Sequence, residues 1–259
     1  MKFSINEKAT KDKFIGIFQL LKNITSIISF IFKEDFIHIQ GMDSSHICLF
    51  DINLNKEWFE TYIFDSKELS TVYINSQILH NVLSMVHESH SIIFHFEDNP
   101  DNISIDLFND SKGELFNKFF KIPLSDLDTE ILEITEYEYD VDFSIGSKKI
   151  QDVLSQLLIF GEVLNISCSE EKINLNSTSV NGDMLVNIPI EEITEFSISE
   201  GEIVDISFNL KFILKMCTSN KLSTDIEFSI RKNHPMRIKY DLGKNNYLNF
   251  YIAPQITEE

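Results

Sequence analysis

The feature that most limits what this chain can fold into is that it carries its own pattern twice. Laid over itself at an offset of 136 residues, FKEDFIHIQGMDSSHICLFDI (32–52) meets CSEEKINLNSTSVNGDMLVNI (168–188) without a gap. Ile37 then falls on Ile173, Ile39 on Leu175 and Leu49 on Leu185, and the helical stretch before each segment follows, Leu21 over Leu157. Further along, VYINSQILHNVL (72–83) lies over ISFNLKFILKMC (206–217) at an offset of 134. The chain is therefore a duplication, with strand, helix and strands occurring twice in each half.

Within each half most segments alternate apolar and polar residues with period two, as in FIHIQ, HICLFDINL, SIIFHFE, NISIDLF, DIEFSI and YLNFYI, the mark of antiparallel strands with one buried face. Four segments change period. Phe14, Ile17, Phe18, Leu21, Ile24 and Ile28 recur at three- and four-residue steps, opposite Asp12, Gly16, Gln19, Asn23 and Ser26, which predicts an amphipathic helix. The other predicted helices are NSQILHNVLSMVHE (75–88, capped by Asn75), SKKIQDVLSQLLIFG (147–161, capped by Ser147 and closed by Gly161) and NLKFILKMCTSN (209–220). The fold class is α+β: two similar domains, 1–124 and 140–259, each an antiparallel sheet carrying two helices. The segment 125–139 joins them as an acidic, glycine-free connector. Its Leu127, Leu132 and Ile134 are out of place in a solvated linker and predict docking onto a sheet.

With 43% hydrophobic residues there is ample material for a core, yet no apolar run reaches the ~18 residues of a membrane span. MKFSINEKATKDKF lacks the apolar stretch of a signal peptide, so an intracellular protein is expected. Cys48, Cys168 and Cys217 lie far apart with no CxxC pair and read as core thiols. The formal charge of −19 excludes a protein that coats nucleic acid with its whole surface. Charge is segregated, however. Acids crowd 124–142 and 191–205, whereas seven lysines (Lys11, Lys13, Lys22, Lys148, Lys149, Lys211 and Lys215) attend the predicted helices, with His80 beside them. If the four repeated helices line one side of the molecule, their polar faces make one mildly basic surface, suited to a DNA backbone without base reading.

Little else in the sequence suggests chemistry. Asp43, Ser45 and His46 supply the residue types of a serine triad within four positions, but triads assemble from separate segments and no glycine-flanked elbow exposes the serine. His80 and His87 stand two turns apart on a predicted helix, His87 and His90 are spaced i, i+3, and His95 sits in a strand. A metal site needs three or four converging ligands, and no cysteine or carboxylate pair completes this set, so these histidines read as solvated. There is no GxxxxGK[ST], GxGxxG or HExxH. The expectation is a protein with no catalytic residue, metal or cofactor; an enzyme built on the histidine cluster is the outlying alternative.

At this point a resemblance enters. QGMDSSHICLFDINLNKEWFETY closely resembles the hallmark segment of the eukaryotic sliding clamps, the proliferating cell nuclear antigen family, which carries the same MDSSH core. DLDTEILEITEYEY is similar to that family's interdomain connecting loop, and NFYIAPQITEE to its C-terminal strand and acidic tail. The resemblance implies a homotrimeric ring in which duplex DNA threads a hole lined by the helices, while DNA polymerase, the clamp loader and other proteins dock through short aromatic peptides. The peptide pocket it implies comprises Met42, His46, Ile47, Leu49, Leu132, Ile134, Tyr139, Pro235, Tyr251, Ala253 and Pro254. DNA would face Lys11, Lys13, Lys22, His80, Lys148, Lys149, Lys211 and Lys215. Subunits would join through edge strands in 113–122 and 178–186, with Leu115, Phe116, Phe119 and Met184 as contacts.

Departures from the family pattern bear on function. Asp152 and Ser155 occupy positions where the third helix is expected to be basic, and Thr135 stands where the connector usually has a proline, which predicts weaker, salt-sensitive DNA contact and a looser loop. A divergent clamp with weak trimerisation, acting as a recruitment scaffold, is the runner-up. By family a nuclear location is implied. The Ile, Asn, Lys and Phe richness suggests an AT-rich genome, of a protist or a large DNA virus, and in the latter case a cytoplasmic replication site.

Overall fold

The computed structural model describes residues 1–65, 71–97, 101–110, 115–126, 131–135 and 137–255. Leu127 of the connector and the acidic end 256–259 lie outside the described residues. From the N-terminus run β1 (Lys2–Ile5), α1 (Lys8–Leu21), β2 (Ile27–Phe32), β3 (Phe36–Met42), β4 (Cys48–Asn55), a 3-10 turn (Lys56–Trp58) and β5 (Thr61–Ile63). Then come β6 (Thr71–Asn75), α2 (Ser76–Leu83), β7 (Ser91–His95), β8 (Asn102–Phe108) and β9 (Lys118–Pro123). The same succession follows as β10 (Val141–Gly146), α3 (Ser147–Leu157), β11 (Val163–Cys168), β12 (Lys172–Ser179), β13 (Gly182–Pro189), a 3-10 turn (Ile190–Glu192) and β14 (Glu195–Ile198). It closes with β15 (Val204–Asn209), α4 (Leu210–Met216), β16 (Asp225–Ile230), β17 (Met236–Gly243) and β18 (Asn246–Ile252).

The pairing repeats as well. β1 lies antiparallel between β5 and β7, as β10 does between β14 and β16. β2 lies between β3 and β6, as β11 does between β12 and β15. Both α1 and α3 end one turn before the strand that follows, at the offset of 136 read from the sequence. The duplicated α+β architecture is therefore present strand for strand and helix for helix.

Two compact units result. The first comprises Met1–Met42, Asp51–Leu132 and Leu242–Leu248; the second comprises Asp43–Phe50, Glu133–Asp241 and Asn249–Glu259. In the first, α1 and α2 pack together and the core is aromatic: Phe3 stacks on Phe94 at 4.5 Å, Phe14 meets Phe18 at 4.8 Å, and Phe18 stacks on Phe30 at 5.7 Å. In the second, α3 and α4 pack together over a largely aliphatic interior of Ile150, Leu154, Leu157, Leu164, Ile166 and Ile213. Tyr240, fully buried there, donates its hydroxyl to Met216 O at 2.7 Å, which satisfies the one polar atom it brings inside.

Several local expectations are corrected. α1 stops at Leu21; Ile24 is buried in the turn beyond it and Ile28 in β2, because the β-branched run after Thr25 favours a strand. Gly16, assigned to the polar face, is buried. α2 ends at Leu83, closed by Ser84 N–H donating to His80 O and Met85 N–H to Val82 O, so His87 is not helical. Ser147 begins α3 rather than capping it, and its hydroxyl donates to Ser223 O and Thr224 O. Gly161 lies past the helix, where a Cβ would stand 2.7 Å from Ser177 Oγ and 2.8 Å from Thr178 O. Asn75 does cap α2, accepting from Ile78 N–H at 2.9 Å. Its repeat partner Asn209 caps α4, accepting from Lys211 and Phe212 N–H at 3.1 and 3.3 Å.

Because each cap serves its own unit, Asn75→Ala and Asn209→Ala should each cost about 1 kcal/mol, and the double variant about the sum. Urea denaturation of the three variants checks this, and a strongly non-additive result would contradict two independent caps.

Candidate functional site

The turn after β3 is organised by one carboxylate. Asp43, only 4% exposed, accepts from Ile47 N–H (2.7 Å) and Cys48 N–H (2.6 Å) through Oδ1, and from Ser45 N–H (2.7 Å) through Oδ2. Its backbone closes the loop, N–H to Cys48 O at 2.9 Å and C=O from His46 N–H at 3.1 Å, and His46 takes a left-handed φ of 57°. Three charge-assisted bonds to backbone hold this turn without glycine. The same bonds exclude a triad, since the carboxylate faces N–H groups while Ser45 and His46 point to solvent. Beyond the turn Ile47 and Leu49 are half-buried, and Ile47 O accepts from Ala253 N–H at 3.0 Å, so the C-terminal segment runs beside them. Tyr251, Ala253 and Pro254 are half-buried in that segment, and Gln255 N–H is held by Ser207 O at 2.8 Å.

The connector is fastened at both ends. Within the first unit Gln40, 4% exposed, reads Leu132 as a strand would: Nε2 donates to Leu132 O at 3.0 Å and Oε1 accepts from Leu132 N–H at 2.8 Å. Leu132 keeps 39% of its surface exposed, Ile134 is half-buried, and Met42 of β3 is half-buried. Within the second unit the chain's two arginines grip the connector's tyrosines. Arg237 lies 4.8 Å over Tyr139 and Arg231 lies 5.5 Å over Tyr137, whose ring also meets His234 at 4.9 Å and whose hydroxyl donates to Pro235 O at 3.1 Å. Arg237 is itself held by Glu227 at 2.5 Å, and burial pushes the Tyr139 phenol well above its ordinary range. Among the described residues, the connector is thus held at Leu132 by Gln40 and at Tyr137 and Tyr139 by Arg231 and Arg237, residues that alternation alone did not distinguish from other polar side chains.

The helix-associated lysines do not form one free cationic set. Lys11 is corrected outright: it is 4% exposed, its ammonium donates to Glu88 O (2.5 Å) and His90 O (2.6 Å), and burial lowers its pKa. Lys13 donates to Leu242 O at 2.8 Å. Lys22 lies 3.4 Å from His80 Nδ1, and burial followed by the Lys22 charge lowers the histidine's pKa, so the pair carries one charge rather than two. Lys149 pairs with Glu192 at 2.8 Å and Lys211 with Glu162 at 2.5 Å. Lys149 and Glu192 also line a cavity of about 490 Å³ together with Lys148 and Asp225, a mixed-charge hollow. Lys148 and Lys215 are exposed, and among the described residues neither has an acidic partner, Lys215 resting 5.5 Å over Phe212.

Two sheet edges expose apolar side chains. β9 ends the sheet β5-β1-β7-β8-β9 of the first unit, with Phe119 69% exposed and Phe116, just before it, 90% exposed; Leu115 is half-buried. β13 ends the sheet β13-β12-β11-β15 of the second, where Met184 is half-buried but its neighbour Leu185 is 60% exposed and Val180 wholly so. The register decides this: Met184 lies opposite Ser177 and shares its face with half-buried Val186 and buried Ile188, which turns Leu185 outward.

Residues 9–131 match the profile of the proliferating cell nuclear antigen N-terminal domain, and 133–255 that of the C-terminal domain. The chain belongs to the proliferating cell nuclear antigen family. It is 25% identical over 244 residues to the proliferating cell nuclear antigen of Chaetomium thermophilum, covering 92% of this chain and 93% of that one. It is 26% identical over 255 residues to proliferating cell nuclear antigen 2 of Plasmodium falciparum (94% and 95%), and 25% over 244 to the Saccharomyces cerevisiae protein (92% of each). Membership of this family supports a sliding-clamp role.

In this family member two further histidines have structural employment. His95 pairs with Asp106 at 3.2 Å, and His90, far from solvated, is fully buried. Among the described residues no three His, Cys, Asp or Glu side chains are grouped to hold a metal ion, and no helix is long and apolar enough to cross a membrane. All three cysteines are buried; burial, with Asp205 nearby, pushes Cys168 up to about 12, and burial with Asp43 nearby raises Cys48 further, which leaves both thiols protonated and inert.

Asp43→Asn keeps an acceptor for Ile47 and Cys48 but turns an amide NH₂ toward Ser45 N–H. A loss of roughly 1–3 kcal/mol is expected, read by urea denaturation, with Asp43→Ala costing more. Wild-type stability in both variants would contradict the carboxylate's role in the turn.

Proposed function

We propose that this chain is a non-enzymatic sliding clamp. Three copies close into a ring around duplex DNA, which is held by topology, and the ring tethers DNA polymerase, receives a clamp loader and recruits replication and repair proteins. The observation that carries this reading is the family match over both halves, joined to two sheet edges, β9 and β13, whose apolar side chains Phe116, Phe119, Val180 and Leu185 are exposed. Pairing β9 of one copy with β13 of the next removes both edges in a heterologous contact that closes on itself. In that contact Phe116, Phe119, Val180 and Leu185 are the main apolar contributors, with Leu115 and Met184 behind them. The domains are read as 1–124 and 140–259, with 125–139 connecting them. The working location is the nucleus.

Partner peptides are read as docking in the second unit on Ile47, Leu49, Ile134, Tyr139, Pro235, Tyr251, Ala253 and Pro254, with His46 at the rim. Half-buried apolar side chains, with exposed Pro235 beside a tyrosine pair, suit an aromatic anchor. Lys13, Lys22, Lys148, Lys149, Lys211 and Lys215 are read as facing DNA, with the first two bonded to Leu242 O and His80, and Lys149 and Lys211 engaged by glutamates.

The direct test is retention on DNA: loaded by a clamp loader, the protein should stay on closed circular duplex and be lost when the circle is linearised. Loss from both alike would sink the topological reading. Light scattering should give three times the 30.1 kDa chain mass, falling to one chain for Phe119→Asp or Leu185→Asp. An Ile134→Ala variant should keep the trimer but bind an aromatic clamp-binding peptide at least about tenfold more weakly.

The glutamate pairs generate a separate expectation. Glu162→Gln with Glu192→Gln releases Lys211 and Lys149, and the slope of log affinity for duplex against log salt should steepen by about one per lysine. An unchanged slope would show that these lysines do not meet phosphate.

A further inference from the structure

The fully buried His90 and the buried Lys11 have no part in the clamp reading, and His90 sits behind Phe116, one of its exposed apolar residues. Lys11 reaches from α1 and, among the described residues, forms no ion pair; its ammonium donates to the carbonyls of Glu88 and His90, fixing the loop that follows α2. Within that loop His87 N–H donates to His90 Nδ1 at 3.0 Å. An Nδ1 that accepts leaves the proton on Nε2, and Nε2 lies 3.3 Å from Phe116 O, to which it donates. A second strut runs the other way, from the Lys118 ammonium to Met85 O at 2.9 Å. The segment carrying Phe116 into β9 is therefore tied to the loop by two crossing hydrogen bonds, one of which passes through a neutral imidazole.

The surroundings resist a second proton on that ring. Lys11 from α1, His87 from the loop and Lys118 from β9 all face it, and Glu88, the nearest acid of the loop, is engaged by Lys8 at 2.7 Å. Burial, ahead of the charges of Lys118, His87 and Lys11, holds His90 below the ordinary histidine range, although the bond to Phe116 O works the other way. Protonation would place an Nδ1–H against His87 N–H, donor against donor, and add a cation to two ammonium groups.

We propose that His90, seated on Lys11, is a positioning residue for the subunit edge: neutral, it holds the Phe116 segment in place for the neighbouring copy; protonated, its imidazole loses the His87 bond that seats it and is driven from between Lys11 and Lys118, taking the Nε2–H donor away from Phe116 O, so that the trimer loosens as the pH falls. This rests on the ring reading given above. The direction follows from linkage. A histidine whose pKa is lower when the segment is docked takes up its proton more readily when it is released, so the docked arrangement is fully favoured above the ordinary histidine range and is lost as the pH drops below it.

The test is the trimer–monomer equilibrium by light scattering from pH 8 to 5.5, together with amide hydrogen exchange over 115–119. Wild type should lose at least about tenfold in association between pH 7.5 and 5.5. His90→Gln, whose amide supplies one acceptor and one donor without titrating, should stay trimeric with a flattened response. His87→Gln, at an exposed position, should follow wild type. A wild type insensitive to pH, or a His90→Gln variant as sensitive as wild type, overturns the proposal. If the chain is monomeric at every pH the ring reading fails instead. The exchange data then decide the knot alone: faster exchange at 115–119 in acid, relative to His90→Gln, supports it, and equal exchange overturns it.

Discussion

In each unit a strand passes into a helix through a single asparagine that belongs to both. Asn75 pairs with Ile27 in the β2–β6 ladder and caps α2; Asn209 pairs with Val163 in the β11–β15 ladder and caps α4. With no loop residue between sheet and helix, the direction in which the helix leaves is set by the strand's own register. For α4 that fixes which face packs against α3 and which carries Lys211 and Lys215 outward. A side-chain oxygen that accepts the first free N–H groups lets the turn be this abrupt without leaving unsatisfied donors.

The repeat was legible because duplication preserves spacing. Period-two and period-3.6 patterns at offsets of 136 and 134 report strand and helix order directly; the ends of α1 and α3 and the starts of β2 and β11 keep the first offset, and the starts of α2 and α4 and of β7 and β16 keep the second. What the sequence concealed was non-local. Lys11 falls on the same helix face as Phe14 and Phe18, where its charge alone argued for solvent, and its ammonium is taken by carbonyls nearly eighty residues away. His90 looks like one more loop histidine until the Phe116 segment is laid over it. Gln40 reads as the polar member of an alternating strand and proves to be the residue that holds Leu132. In each case a long polar side chain satisfies backbone groups of another segment, and neither propensity nor periodicity encodes such a partner. Met184 illustrates a different limit: one step of register decides whether it or Leu185 faces outward.

The charge pattern shows how an acidic chain can present lysines without a strong cationic field. Lys149 and Lys211 are engaged by glutamates, Lys22 shares its charge with a neutral imidazole, and Lys11 is withdrawn altogether. For a protein whose proposed hold on DNA is topological, strong affinity would oppose sliding, because each phosphate bound must be released at every step. Exposed pairs of this kind weaken further in salt, so their neutralising effect on DNA contact is itself adjustable.

The two copies of the turn after the repeated strand show where function and fold part company. In the second unit Ser179 pairs with Gly182, and the hairpin turns tightly with the glycine at a φ of 129°, so backbone conformation alone makes the corner. In the first copy the equivalent corner is wider, has no glycine, and is held by the Asp43 carboxylate gathering three N–H groups. A corner held from inside by one buried carboxylate leaves Ser44, Ser45 and His46 exposed and carries Ile47 and Leu49 half-buried beside the C-terminal segment. The same folding requirement is met by two chemistries: the glycine version leaves Val180 exposed at its tip, and the carboxylate version leaves Ser44, Ser45 and His46 exposed. MDSSH is thus held in place by its aspartate, and its resemblance to a catalytic set comes from a residue whose hydrogen-bonding capacity is already used by the backbone.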